Sequence, residues 1–188
     1  MKNIAIIALT IFTLSACKKD KDPIATPPPV NEEEVITSVK ITFVNQLNQD
    51  ERIWLSSDPD GDGSNPPNIT ADPLEAGALY LFTVEFFNET VNPVENITEE
   101  IEEEGEEHQV FYQIASSLNL TIVYNDTDAN GNPVGLACAA TTSAASSGNV
   151  TVVLRHLPNK TAPGVAQGDI ANASGDTDAT VTFDVVIE

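Results

Sequence analysis

Val35-Ile36-Thr37-Ser38-Val39-Lys40-Ile41-Thr42-Phe43 alternates side-chain character with a period of two, placing Val35, Thr37, Val39, Ile41 and Phe43 on one side and Ser38, Lys40 and Thr42 on the other. That is the pattern of a strand with one buried face. The same period returns along the chain. Residues 52–56 form a short run carrying Trp54. Ala78, Tyr80, Phe82, Val84 and Phe86 form a strong one, followed by Val110, Tyr112 and Ile114, then by Leu118, Leu120, Ile122 and Tyr124. Residues 135–142, then Val150, Val152 and Leu154, and finally Val181, Phe183, Val185 and Ile187 complete a set of about eight expected strands. Clusters of Gly, Pro, Asn and Asp separate them, not helical segments. The expected fold is therefore all-β, an antiparallel two-sheet sandwich of immunoglobulin-like or jelly-roll-like type.

One segment departs from this period. Asn96 followed by Glu99 has the spacing of a capping box, Ile97 and Ile101 are one helical turn apart, and Gly105 stands where a helix would stop. A short acidic helix is expected over 97–104. Eight of the thirteen residues 95–107 are Glu, so their repulsion must be relieved by solvent, a cation or a basic neighbour.

Upstream of the sandwich, assigned to residues 33–188, the chain changes character. Residues 17–32 are charged and then proline-rich, with Pro23 and Pro27-Pro28-Pro29, and read as a stiff extended tether. Residues 1–16 begin with the cation Lys2 and continue as an apolar run too short to span a bilayer, the form of a signal peptide. Leu14-Ser15-Ala16-Cys17 closes this run as a bacterial lipobox. In that reading Cys17 becomes the first mature residue, and its acyl chains anchor the protein in a membrane. The expected location is the cell envelope, at the periplasmic or outer face of the outer membrane.

Charge and cysteine usage narrow the partners. The net charge is −21, and downstream of the tether the cations are Lys40, Arg52, Arg155 and Lys160. No basic patch offers itself to phosphates, so nucleic acid is not an expected partner, whereas divalent cations are attracted. With Cys17 lipidated, Cys138 stands alone among small residues and reads as a buried thiol.

Three constellations carry candidate chemistry. Asp58, Asp60 and Asp62 with Gly63, and Asp126, Asp128 and Asn130 with Gly131, each match the first half of an EF-hand calcium loop. Ser64 and Asn132 would supply backbone carbonyls. The twelfth positions are Ile69 and Ala137, not Glu, so a calcium ion would need ligands from the other loop or from Asp176 and Asp178. The same residue types also build ordinary Asx and Gly turns. The third constellation is His108 and His156, which share parity with the buried positions at the start and end of their strands. On antiparallel strands they would meet and, with Glu107 or Glu106, form a transition-metal site.

The segments Glu33-Glu34-Val35-Ile36-Thr37, 58–63, Ile97-Thr98-Glu99-Glu100 with 105–109, 126–136, Leu154-Arg155-His156-Leu157-Pro158 and Gly164-Val165-Ala166-Gln167-Gly168-Asp169 resemble a family of small lipoproteins from marine and environmental Bacteroidota. Its members are sometimes labelled type 1 periplasmic-binding-fold proteins, although that fold uses repeated strand–helix–strand units over roughly twice this length. The resemblance implies an envelope location and the extent of the domain, and no activity. The sequence therefore reads as a lipid-anchored envelope lipoprotein acting as a non-enzymatic binding or structural module, with calcium as a candidate stabiliser. Its protein or glycan partner is open. The competing classes are a metal-dependent envelope hydrolase using His108, His156 and a nearby Glu, and a subunit of an outer-membrane assembly.

Overall fold

The opening alternation is realised as β1 (Ser38–Asn45), with Val39, Ile41 and Phe43 buried beneath the sheet. The computed structural model describes residues 34–61, 63 and 65–188, of which Val35 is exposed because the strand begins only at Ser38. β1 pairs antiparallel with β2 (Glu51–Ser57) on one side and β4 (Leu79–Asn88) on the other. β3 (Asn68–Ala71) extends the sheet beyond β2, and the two-residue β5 (Glu95–Asn96) attaches to the end of β4. β8 (Ala137–Thr142) continues from β4, and β7 (Leu120–Tyr124) forms the far edge. The order is β3-β2-β1-β4-β8-β7.

The second sheet has three strands, in the order β10-β9-β6, built from β6 (His108–Ile114), β9 (Ser146–His156) and β10 (Asp176–Ile187). The fold is thus an all-β antiparallel sandwich. Each expected run is a strand. β3 and β5 are additions: Ile69 in β3 is exposed, and β5 is too short for a period to register.

The inward faces meet through aromatic side chains. Phe43 packs on Trp54 at 4.5 Å between ring centroids, Trp54 reaches Phe183 of the second sheet at 5.6 Å, and Phe82 meets Tyr112 edge-on at 5.4 Å. Burying each such side chain stabilises the fold by about 1.5–3 kcal/mol, which makes this seam the main cohesion between the sheets.

The acidic segment does contain a helix, α1 (Thr98–Glu103). Asn96 Oδ1 accepts from the Thr98 amide at 3.1 Å, yet the capping position itself is Ile97, which has no side-chain oxygen to offer. Ile97 and Ile101 are buried in the main core, so tertiary packing holds the helix while its acids face outward.

A second small core lies on the other face of the second sheet. Phe111 and Val153 point away from the sandwich and are covered by Val165 and Ala173, with Ala162 and Ile170 alongside. These come from the excursion between β9 and β10, which contains 3-10 turns at Val165–Gln167 and Ile170–Asn172. Gln109 Nε2 donates to the Val165 carbonyl at 3.0 Å and fixes this cover in place. Around Phe111 and Val153 the β6–β9 pair is therefore buried on both faces, while the outer side chains of β10 such as Thr182, Asp184 and Val186 stay exposed, and polar side chains at the covered end of the sheet are enclosed.

Candidate metal centre

His108 and His156 are direct antiparallel partners in the β6–β9 register. Their rings stack with centroids 4.7 Å apart and planes within 11°. His108 is fully buried and His156 is 3% exposed. The backbone carbonyl of Glu104 lies 3.2 Å from His108 Nδ1, so this nitrogen carries the proton and donates it. The lone pair of a neutral His108 is thereby assigned to Nε2. Burial lowers the His108 pKa from its ordinary value, against the opposing effect of the Glu104 hydrogen bond.

Two carboxylates close on that nitrogen. Glu34, in the segment leading into β1, places Oε2 3.4 Å from His108 Nε2, with its side chain 7% exposed. Asp178 places Oδ2 3.9 Å from the same nitrogen and Oδ1 4.0 Å from His156 Nδ1, with its side chain 1% exposed. The parity of Val181, Phe183, Val185 and Ile187 would put Asp178 on the outer side. A bulge between Thr177 and Ala179 leaves Asp178 opposite no residue of β9 and turns it inward. Burial, and then the nearby Glu100, raise the Glu34 pKa above the ordinary value.

Glu107 takes a different place from that expected of it. Its Oε2 lies 3.8 Å from the outer nitrogen, Nε2, of His156, and its side chain is half exposed. It sits on the rim, and the inner donors beside the histidines are Asp178 and Glu34. His108, His156 and Asp178 bring one donor atom each within 4.8 Å of one another, and Glu34, Glu104 and His108 do the same. No family model, curated protein or solved structure matches the chain.

The two Asp-rich loops lie in separate grooves. Asp58 and Asp60 line a groove of about 730 Å³ together with Glu34 and Asp178. The Asp60 carboxylate accepts from Asn65 Nδ2 at 2.8 Å, and hydrogen bonding to Asn65 and Asp58 lowers its pKa. Asp62 and Ser64 lie outside the described residues, as does Cys17.

The second loop is held by the protein itself. Asp126 accepts three backbone amides, from Gly135 at 2.8 Å, Leu136 at 2.6 Å and Ala137 at 2.9 Å. Asp128 Oδ1 accepts from the amides of Asn130 and Asn132, both at 2.9 Å, while its Oδ2 accepts from Lys160 Nζ at 2.9 Å. The same ammonium donates to the carbonyls of Gly105 and Pro133, and Lys160 is 5% exposed. Asn130 and Asn132 contribute their backbone to this turn. A lysine ammonium thus occupies one carboxylate oxygen, Asp128 Oδ2, of the set expected to hold calcium.

Cys138 is buried, its Sγ 3.7 Å from the Gly135 carbonyl, and burial pushes its thiol up to about 12. It is a packing residue with no thiolate character at neutral pH.

Proposed function

We propose that this protein is a lipid-anchored, non-enzymatic binding module of the bacterial cell envelope. The observation that carries the binding half is the burial of the chemistry. His108, His156, Asp178 and Glu34 converge, as a catalytic group would, but they do so inside the end of the sheet, where they suit a small held ligand better than a substrate that must come and go. The acid-lined groove carrying Glu34, Asp58, Asp60 and Asp178 favours a cation over an anion as that ligand. Calcium remains a proposal for the first loop, where Asp58 and Asp60 share the groove with Asp178.

The anchoring half rests on Leu14-Ser15-Ala16-Cys17 and the proline-rich segment after it. Among the described residues no helix is long and apolar enough to cross a membrane; the attachment proposed is the lipid on Cys17. Growth with a radiolabelled fatty acid tests it. The full chain should take up label and partition into detergent, and Cys17→Ala should do neither. An unlabelled wild-type chain would overturn the anchor.

A further inference from the structure

We infer that His108, His156, Asp178 and Glu34 form a binding site for one divalent transition-metal ion of the zinc class. The inference names the ligand of the binding module proposed above and rests on that part of it; it stands whether or not Cys17 carries lipid.

The argument begins with two acceptors that face each other. The His108 Nδ1–H donates a hydrogen bond to the Glu104 carbonyl, so Nε2 presents a lone pair to Glu34 Oε2 at 3.4 Å. Among the described residues neither atom has a hydrogen-bond donor, and both are enclosed. Two electron-rich atoms buried at that distance repel unless a positive centre lies between them.

The spacing suits a metal. Zinc bonds of about 2.0–2.1 Å in a tetrahedron separate neighbouring donor atoms by roughly 3.3 Å. The separations here are 3.4, 3.9 and 4.0 Å, for His108 Nε2 to Glu34, His108 Nε2 to Asp178 and His156 Nδ1 to Asp178. The two Asp178 separations are to its two different oxygens, and closing the set takes shifts of up to about 0.7 Å together with a turn of His156. Two imidazole nitrogens with two carboxylate oxygens select a borderline ion such as zinc over calcium, which takes more oxygens at longer range. The two carboxylates also balance the charge of the ion.

The near-parallel rings set the order of assembly. One ion cannot lie in both ring planes at once, so it takes its in-plane bond from His108, whose ring Glu104 fixes. His156 then turns about its Cβ–Cγ bond, a broad torsion, to bring Nδ1 onto the ion. Glu107 at 3.8 Å from His156 Nε2 is placed to accept that ring's other proton, the outer partner that metal-bound imidazoles ordinarily have. Because Glu34 lies in the segment leading into β1 while the other donors belong to β6, β9 and β10, the ion would pin the start of the domain to the second sheet.

The chain from Lys18 to Glu188, stripped with a chelator, is titrated with zinc chloride by calorimetry and melted with and without zinc. One equivalent should bind, and melting should rise by several degrees, while calcium at the same concentration should give no such rise. Glu34→Gln keeps the shape of a loop side chain and removes one ligand. It should melt like the stripped wild type and lose zinc affinity about tenfold or more. His108→Gln, which keeps the backbone contact within reach, should abolish binding. Cobalt(II) supplies a signature: a strong visible band of four-coordinate type in the wild type that is lost in both variants. No zinc-dependent rise, an equal response to calcium, or full retention of binding in Glu34→Gln and His108→Gln would overturn the site.

Discussion

Lys160 Nζ lies 2.9 Å from Asp128 Oδ2 and donates as well to the carbonyls of Gly105 and Pro133, so one buried ammonium joins the end of the helical segment, the Asp126 loop and the excursion after β9. A buried pair of this kind contributes little net energy while intact, because desolvation offsets attraction, yet losing one partner strands the other. Lys160→Met should destabilise the domain by about 3–5 kcal/mol. The check is the midpoint of guanidinium unfolding with the slope unchanged; a loss below about 1 kcal/mol would mean that the ammonium is hydrated and the pair ordinary.

The same pair sets an acid limit. Burial pushes the Asp128 carboxyl up, but the Lys160 hydrogen bond and the amides of Asn132 and Asn130 outweigh it and hold it below its ordinary 3.8. A group whose folded value lies below its unfolded value contributes stability above the unfolded value and loses it as pH falls through the folded one. The penalty of Asp128→Asn should therefore be constant near neutral pH and shrink once pH drops below 3.8. Urea midpoints of wild type and variant across that range provide the measurement, and parallel curves would contradict it.

Asp126 is the hub of the turn before β8. It holds three amides at 2.6–2.9 Å, and hydrogen bonds to a charged acceptor contribute about 1.5–3 kcal/mol each, less than additively when they share one carboxylate. Asp126→Ala should cost roughly 2–4 kcal/mol and speed amide exchange at Gly135, Leu136 and Ala137 before any global change. Asp126→Asn should lose less, since its oxygen still accepts. Adding calcium should restore neither variant.

The strands were legible because parity is a local property. Val39, Ile41 and Phe43, or Val150, Val152 and Leu154, declare a buried face without reference to anything distant, and the shared parity of His108 and His156 anticipated their pairing. What parity cannot show is a break in itself. Asp178 reads as outward until the bulge at Thr177 and Ala179 turns it, and Phe111 and Val153 read as solvent positions until the later excursion covers them. Lys160 was illegible for another reason: lysine is ordinarily exposed, and its three partners lie 27 to 55 residues away in sequence. In the second loop the Asp-x-Asx-x-Asx-Gly pattern builds a turn closed on Asp128. Which cation answers the second loop depended on that distant side chain.

Trp54 reports on the seam between the sheets. It is the chain's single tryptophan, fully buried, with Nε1 donating to the Asp72 carbonyl at 3.0 Å and its ring between Phe43 and Phe183. Its native emission should be blue-shifted and should move to the red in the same transition that abolishes the circular dichroism of the sheets, because the indole cannot meet water without parting them. Phe183→Ala removes the side chain that Trp54 meets from the second sheet. The expected cost is about 3–5 kcal/mol, with Phe183→Leu losing less because it refills part of the space. In both variants the folded state should keep its blue-shifted emission, since Phe43 and the Asp72 hydrogen bond still enclose the indole. Native emission already at the red position in the wild type would mean that the sheets do not close over Trp54.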